Sequence, residues 1–460
     1  MNELLSLEDA RAQVLAAIPS ALPAEMVVLS DSLGRVLAAD VTAATDLPPW
    51  DNSAMDGYAI RAADVVGATE TAPALLRVAG EVAAGSASEK AVLPGLALRI
   101  ATGAPMPPGA DAVVAVEQTT PLAADGFAGP RGREATGPLP ARIRVHEATL
   151  PGRSVRRRAS DLQLGRVVLA AGRAIGPAEL AIIAAGGVAR VAVHARPRVA
   201  VLSTGDELRG AGSDLGAAGI PDANGPALVA LCAAAGADAR HLGIAPDRLE
   251  PTLELLRSAV VDADLVIVSG GVSVGPYDVV RGAFAQVGTV DLWRAAIQPG
   301  KPFAFGTAPR GEPAAGKTGQ NANTSRAGER AGPPVLLFGL PGNPVSVFVT
   351  FEVFVRPALR RLAGRTPDAL LRPVDVAVLE DSVTKSIGRR AFLRVAALRD
   401  PDTGAPVRDA SGRVRVVLAG GQESHQLSAL AAADGLAVVP ESVTSLPAGA
   451  GVELWWLDRP

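Results

Sequence analysis

Between residues 188 and 366 the chain alternates short apolar runs with longer mixed stretches, and this alternation sets the expected architecture. The clearest run, 265–268, reads Leu-Val-Ile-Val: mostly β-branched, too short for a helix and suited to a buried strand. Runs at 198–202, 239–244, 292–297, 303–305 and 335–338 read as further strands, and stretches at 226–235, 248–261 and 345–362 read as helices. That is the βαβ rhythm of an α/β domain with a doubly wound, mostly parallel sheet. In such sheets a ligand lies outside the carboxyl ends of the strands. The chain delivers to that edge Asp206 and Glu207, Asp247, the turn at 269–278 and the turn at 341–344, with Lys301 close to a strand start.

The pattern differs on either side. A first helix over 7–18 is capped by Ser6. From 60 to 150 short β-type runs at 75–78, 97–100, 112–116 and 142–145 are separated by glycine and proline turns, which predicts a small all-β insertion. A helix over 176–187 has proline at its start and glycine at its end. After about 366 short strands return, with Arg389, Arg390, Arg394 and the polar stretch Gly420-Gly-Gln-Glu-Ser-His425, as a second small β domain. Residues 121–141 read as a hairpin tip or disordered loop, and 308–334 as a polar, low-complexity surface insertion that cannot bury a core.

Composition narrows the function. At 460 residues the chain holds about three or four domains. Net charge is −3, without a basic excess, which argues against a nucleic-acid partner. No segment is apolar enough to span a bilayer, and the first residues lack the charged region of a signal peptide, so a cytoplasmic protein is expected. The single cysteine, Cys232, falls in a helical stretch and reads as core. Four scattered histidines have no paired-ligand spacing, which makes a zinc enzyme improbable.

The chemistry left is that of oxygen donors and anions. Ser269-Gly270-Gly271-Val272-Ser273-Val274-Gly275 follows a strand and precedes a helix start at Pro276 and Asp278, an arrangement that offers backbone N–H groups to a phosphate. Carboxylates at Asp206, Glu207, Asp247 and Asp278 would repel one another unless a divalent cation sat among them, and oxygen ligands of this kind suit Mg²⁺. Lys301 can neutralise a phosphate. No Ser–His pair or reactive cysteine is in view, so metal-assisted chemistry at a phosphate or phosphoanhydride fits best. Two further stretches stay open between structure and chemistry. The segment around Asp51, Asn52, Ser53 and Asp56, beside Trp50, Met55 and Tyr58, suits a capped turn or a polar ligand. The four arginines within 153–158 suit a solvated face or a phosphate.

Taken together, PPWDNSAMDGYAI, TGAPMPPGADAVV, VLSTGDEL, SGGVSVGPYD, PGKPFAFG and GLPGNPVS resemble molybdopterin molybdenumtransferases and the related E domain of gephyrin, in the family's order over nearly the whole chain. The resemblance implies an elongated, four-domain homodimer that inserts molybdate into adenylylated molybdopterin with Mg²⁺-dependent release of AMP. A molybdopterin adenylyltransferase would act upstream as partner. It also implies a first domain in two segments, 1–46 and 151–187, interrupted by a β domain at 47–150 and followed by the α/β domain at 188–366 and a β domain at 367–460. Carried over by motif, the catalytic positions would be Asp56, Asp161, Asp278, Arg294 and Lys301, with Asp56 reaching the partner's site. Cofactor-binding positions would be Thr102, Ser269, Gly270, Gly271, Ser273, Gly275, Gln298, Pro341, Gly342, Asn343 and Pro344, and metal ligands Asp206, Glu207, Asp247 and Asp278. The chain departs from the family pattern at three places: Gln298 where a cation is frequent, Ala159-Ser160 for Gly-Glu, and Pro221 for an aromatic residue. Rival readings within the resemblance are a gephyrin-like scaffold dimer that binds a peptide and an adenylyltransferase acting one step earlier.

Overall fold

The computed structural model describes residues 4–132, 137–272, 279–310 and 333–457. At its centre lies a six-stranded sheet in the order Asp238–Ala245, Arg198–Thr204, Leu265–Ser269, Val335–Leu340, Pro302–Ala308, Asp291–Arg294. The first four strands are parallel, and each of the last two runs antiparallel to the strand inside it. The chain steps from Arg198–Thr204 outward to Asp238–Ala245 and then crosses back to Leu265–Ser269, so strand order reverses between the first and third strands. A reversal of this kind opens a crevice at the carboxyl ends.

The two faces of the sheet are built by alternation. Val199, Val201, Leu265, Ile267, Leu336 and Phe338 pack with Leu228, Cys232 and Val347 on one side. Ala200, Leu202, Val266, Val268 and Leu337 pack with Leu256, Ala259, Ala283 and Phe284 on the other. Both faces are covered, which is why these strands read as unbroken apolar runs. Truncating Ile267 or Phe338 to alanine would cost about 2–5 kcal/mol.

Packing, rather than chain order, assigns two elements. The helix Leu7–Ala16 is capped by the Ser6 hydroxyl, which accepts from the Asp9 N–H at 3.0 Å. Expected in the N-terminal domain, it buries Leu7, Ala10 and Val14 in the α/β core. Conversely, Arg190–His194 was assigned by sequence to the α/β domain but pairs antiparallel with Ala24–Val28. The inserted sheet runs Ala112–Ala115, Gly57–Ile60, Leu96–Ile100, Ala74–Val82, Arg142–Val145, Thr119–Leu122. Gly57–Ile60 and Thr119–Leu122 lie outside the runs read from the sequence.

The C-terminal strands Arg390–Ala397, Val414–Leu418, Val374–Leu379, Ala450–Trp456 and Gly435–Val439 close on themselves as a five-stranded barrel. Closure removes free sheet edges. The stretch read as one strand at 292–297 divides at the seam: Asp291–Arg294 joins the α/β sheet, whereas Ile297–Gln298 pairs with Arg390 and Ala391 of the barrel. Leu5 holds the break between them, its N–H donating to the Arg294 carbonyl at 3.0 Å and its carbonyl accepting from Ala296 at 2.8 Å. Among the described residues no helix is long and apolar enough to cross a membrane. Most of the low-complexity insertion, 311–332, lies outside the described residues.

Candidate active site

At the strand-order reversal, the crevice widens into a cavity of about 780 Å³. One wall belongs to the α/β domain: Thr204, Glu207, Asn224, Asp247, Ser269, Gly270, Gly271, Lys301 and the turn 341–344. The barrel supplies the other: Arg389 and the loop 422–425. Gln298 sits at the seam between them.

The α/β wall is shaped by backbone that only glycine tolerates. Gly270 and Gly271 have φ of 96° and 63°, and a Cβ at Gly270 would come within 2.3 Å of the Thr204 carbonyl oxygen. The chain therefore turns tightly over Thr204 and leaves the cavity open. The Gly270 N–H, expected to face a phosphate, donates to the Leu340 carbonyl at 3.1 Å instead. Asn224 ties the neighbouring turns together: its Nδ2 donates to Ser269 Oγ at 2.9 Å and to the Gly342 carbonyl at 2.7 Å.

Charge is unevenly spread along the cavity. Glu207 and Asp247 line its strand-end side, and Asp206 adjoins them, accepting from the Asp247 N–H at 3.2 Å. Burial, followed by the charges of Asp206 and Glu207, pushes the Asp247 carboxyl above its ordinary range. The seam side carries Lys301 and Arg389. Gln298 stands beside them, and its Oε1 is buried with no hydrogen-bond partner.

The barrel wall is held from behind. Arg394 is fully buried, and its Nη2 donates to the carbonyls of Gly421 at 3.1 Å and Glu423 at 3.3 Å. Burial draws its guanidinium down to about 10, against the opposing pull of Glu423. The same loop is latched to the α/β wall: Asn343 Nδ2 donates to Ser424 Oγ at 2.8 Å, and Val345 N–H to the Ser424 carbonyl at 3.1 Å.

Of the residues singled out from sequence, the structure gathers Glu207, Asp247, Ser269, Gly270, Gly271, Gln298, Lys301, Pro341, Gly342, Asn343 and Pro344 around this cavity, with Asp206 at its border. Ser273, Gly275 and Asp278 lie outside the described residues. Arg294 does not line the cavity; it ends the edge strand of the sheet. Asp56, Thr102 and Asp161 do not line it either. The first two pair with each other in the inserted domain, where the Thr102 N–H donates to Asp56 Oδ1 at 2.7 Å. Asp161 lies exposed in the first domain, its N–H on the Leu47 carbonyl at 2.9 Å. The arginine run is partly committed to structure: Arg157 and Arg158 meet Asp51 and Asp46 at 2.7 and 2.5 Å. No group of three or more metal-ligating side chains with metal spacing stands among the described residues.

Sequence reasoning missed Asn224, Arg389 and the loop 422–425 as site residues. The polar, glycine-led stretch 420–425 was a visible signal, but nothing local ties it to a strand edge more than a hundred residues away.

Comparison with known proteins covers the whole chain. Residues 5–187 match the family described as MoeA N-terminal region (domain I and II), 200–361 the probable molybdopterin binding domain, and 376–457 the MoeA C-terminal region (domain IV). The chain is 38% identical to molybdopterin molybdenumtransferase 2 of Mycobacterium tuberculosis (strain ATCC 25618 / H37Rv) over 93% of its own length and 94% of that protein's. It is 33% identical to molybdopterin molybdenumtransferase of Haemophilus influenzae, covering 98% of each. Among solved structures, the molybdopterin biosynthesis moeA protein of Pyrococcus horikoshii OT3 is similar with a TM-score of 0.74 and 27% identity, over 99% of this chain and all of that one.

Proposed function

The chain belongs to the molybdopterin molybdenumtransferase family, and from that premise we propose that its cavity receives adenylylated molybdopterin and molybdate and yields molybdenum cofactor with release of AMP. The observation that carries this reading is one cavity, at the crevice of a parallel sheet, that brings the carboxylates Glu207 and Asp247 together with the cations Lys301 and Arg389. Molybdate, an oxyanion substrate, suits Lys301 and Arg389, with the Gln298 amide as a neutral neighbour. The phosphate portion of the other substrate suits the open turn beside Gly270 and Gly271 and the carboxylate end, where a cation can bridge the charges.

Asp206, Glu207 and Asp247 fit Mg²⁺ in kind. They are hard oxygen donors, and burial followed by the charges of Asp206 and Glu207 disfavours the charged form of Asp247. Magnesium typically takes one or two carboxylates plus substrate phosphates, so two cavity-lining carboxylates suffice. When bound it would supply Lewis-acid polarisation of a phosphate oxygen. The chain's own work is then to hold the phosphate over the glycine turn, to keep molybdate at Lys301 and Arg389, and to bring the two together.

We extend the proposal to a homodimer working in the cytoplasm, supplied by a molybdopterin adenylyltransferase. Asp56 and Thr102 sit paired and exposed in the inserted domain and do not line their own chain's cavity. That arrangement fits delivery to the site of a second copy. Reconstitution with purified adenylylated molybdopterin tests the reading: AMP release should require molybdate and magnesium together. Adenylylation of free molybdopterin from ATP, without molybdate-dependent AMP release, would contradict it.

A further inference from the structure

One polar cluster beneath the cavity is not used by the reaction as described. Asp222 is 5% exposed and lies between the strand Arg198–Thr204 and the helix Asn224–Ala234. Its Oδ1 accepts from the N–H groups of Asn224 and Gly225, both at 3.0 Å. Its Oδ2 accepts from Ser203 Oγ at 2.7 Å and lies 3.5 Å from His241 Nε2. Ser203, His241 and Asp222 are the residue types of a nucleophilic triad, but Ser203 is fully buried and gives its proton to Asp222 rather than to the histidine. The cluster is therefore a support. What it supports is the start of the helix, and the first side chain of that helix is Asn224, whose amide bridges Ser269 and Gly342.

We propose that Asp222 is a positioning residue for the cavity: by fixing the helix start it aims the Asn224 carboxamide, and that carboxamide sets the spacing between the turns after the Leu265–Ser269 and Val335–Leu340 strands. Two N–H bonds to one carboxylate oxygen fix the backbone at 224 and 225, and the second oxygen anchors that carboxylate to the strand below. The site leaves no slack. A Cβ at Gly225 would stand 2.5 Å from His241 Nε2 and 2.6 Å from Asp222 Oδ2, so only glycine lets the three groups approach. The amide of Asn224 has both its hydrogens committed, and a shift of the helix start would break at least one of those bonds.

The kinetic side of this inference rests on the transferase reading; its structural side does not, and the experiment separates them. Hydrogen exchange in the full-length protein is measured at 269–272 and 342–343 for wild type, Asp222→Ala, Asp222→Asn, Gly225→Ala and Asn224→Ala. Asp222→Ala, Gly225→Ala and Asn224→Ala should each speed exchange there about tenfold, while the barrel strands keep their protection. Asp222→Asn keeps the oxygen that holds both N–H groups and should stay within about threefold of wild type. Molybdate-dependent AMP release should show KM for adenylylated molybdopterin raised about tenfold in Asp222→Ala, with kcat changed less. The Asp222→Ala/Asn224→Ala double variant should be no worse than Asn224→Ala alone, because both act through one amide. Faster exchange without any wild-type AMP release would support the clamp and overturn the transferase reading. Unchanged exchange in Asp222→Ala, additive kinetic losses in the double variant, or an asparagine variant as damaged as the alanine one would each overturn the clamp.

Discussion

The two walls of the cavity are made by different physics. The α/β wall is a consequence of topology: parallel strands must end on one side, the turns that follow them must be tight, and Gly270 and Gly271 supply the positive φ those turns need. The barrel wall has no such necessity. It exists because Arg394, buried at 1% exposure, holds the Gly421 and Glu423 carbonyls, and because Asn343 and Val345 bind Ser424 across the seam. Both walls carry charge of either sign: Glu207, Asp247 and Lys301 on the first, Arg389 and Glu423 on the second. Molybdate, placed at Lys301 and Arg389, would then be held across the seam by one cation from each unit.

The largest predicted effect concerns a third region, the inserted domain. Asp56→Ala and Glu207→Gln should each lower molybdate-dependent AMP release by about 10²-fold or more, as loss of a residue at the reacting centre does. If Asp56 serves the partner's cavity, mixing the two inactive chains should restore activity, because a mixed dimer contains one cavity with both residues intact. Random reassortment puts about half of the dimers in that class, so recovery should approach roughly a quarter of wild type if sites are independent. Mixed dimers isolated by two tags in series that stay as inactive as their parents would place Asp56 outside a shared site.

A smaller effect is expected behind the barrel wall. Arg394→Met removes a buried cation whose Nε has no partner and replaces it with a side chain of similar length. Such replacements of buried charge are often near neutral for stability. The loop 421–425 loses its support, however, and kcat/KM should fall about tenfold with little change in melting temperature, the loss of one charge-assisted contact being ~1.5 kcal/mol. Equal losses in activity and thermal stability would mean that the arginine serves the barrel core and not the wall.

The smallest effect is at the carboxylate end. Because burial and like charges raise the Asp247 carboxyl in the folded protein, folding favours its protonated form. Its contribution is complete at acid pH and is lost as pH rises from the ordinary value of 3.8 through the raised one. Asp247→Asn should remove that loss and, at neutral pH without magnesium, raise the melting temperature by about a degree, as an exposed position allows. The same variant should reduce activity. A lower melting temperature at neutral pH would show that the repulsion is already compensated.

How much of this could be read from the chain alone follows the same division. The strand at 265–269 is legible because both its faces are buried, so every residue is apolar. The turn after it is legible because glycine and hydroxyl residues cluster there. Asp206, Glu207 and Asp247 could be placed together without a distance, since parallel topology delivers all strand ends to one edge. Gly57–Ile60 was hidden, because the strand sits inside a polar motif whose side chains suggested a ligand site. Closure of the barrel, the transfer of the first helix to the α/β core and the split of 292–297 at the seam depend on contacts between residues far apart in the chain. Nothing in the sequence sets Arg394 apart from Arg389 and Arg390 beside it, and only packing makes it a support. Asp222 carries no local signal, because its partners His241 and Ser203 come from two different strands.

The assignment of Arg389 to molybdate and of Glu207 to the magnesium-assisted phosphate is tested most directly by measuring KM separately for each substrate in a variant of each residue. Arg389→Ala should raise KM for molybdate about tenfold or more and leave KM for adenylylated molybdopterin within about twofold. Glu207→Gln should lower AMP release and its magnesium dependence while leaving KM for molybdate within about twofold. If both variants shift both constants together by similar factors, Arg389 and Glu207 do not serve separate substrates and the central claim fails.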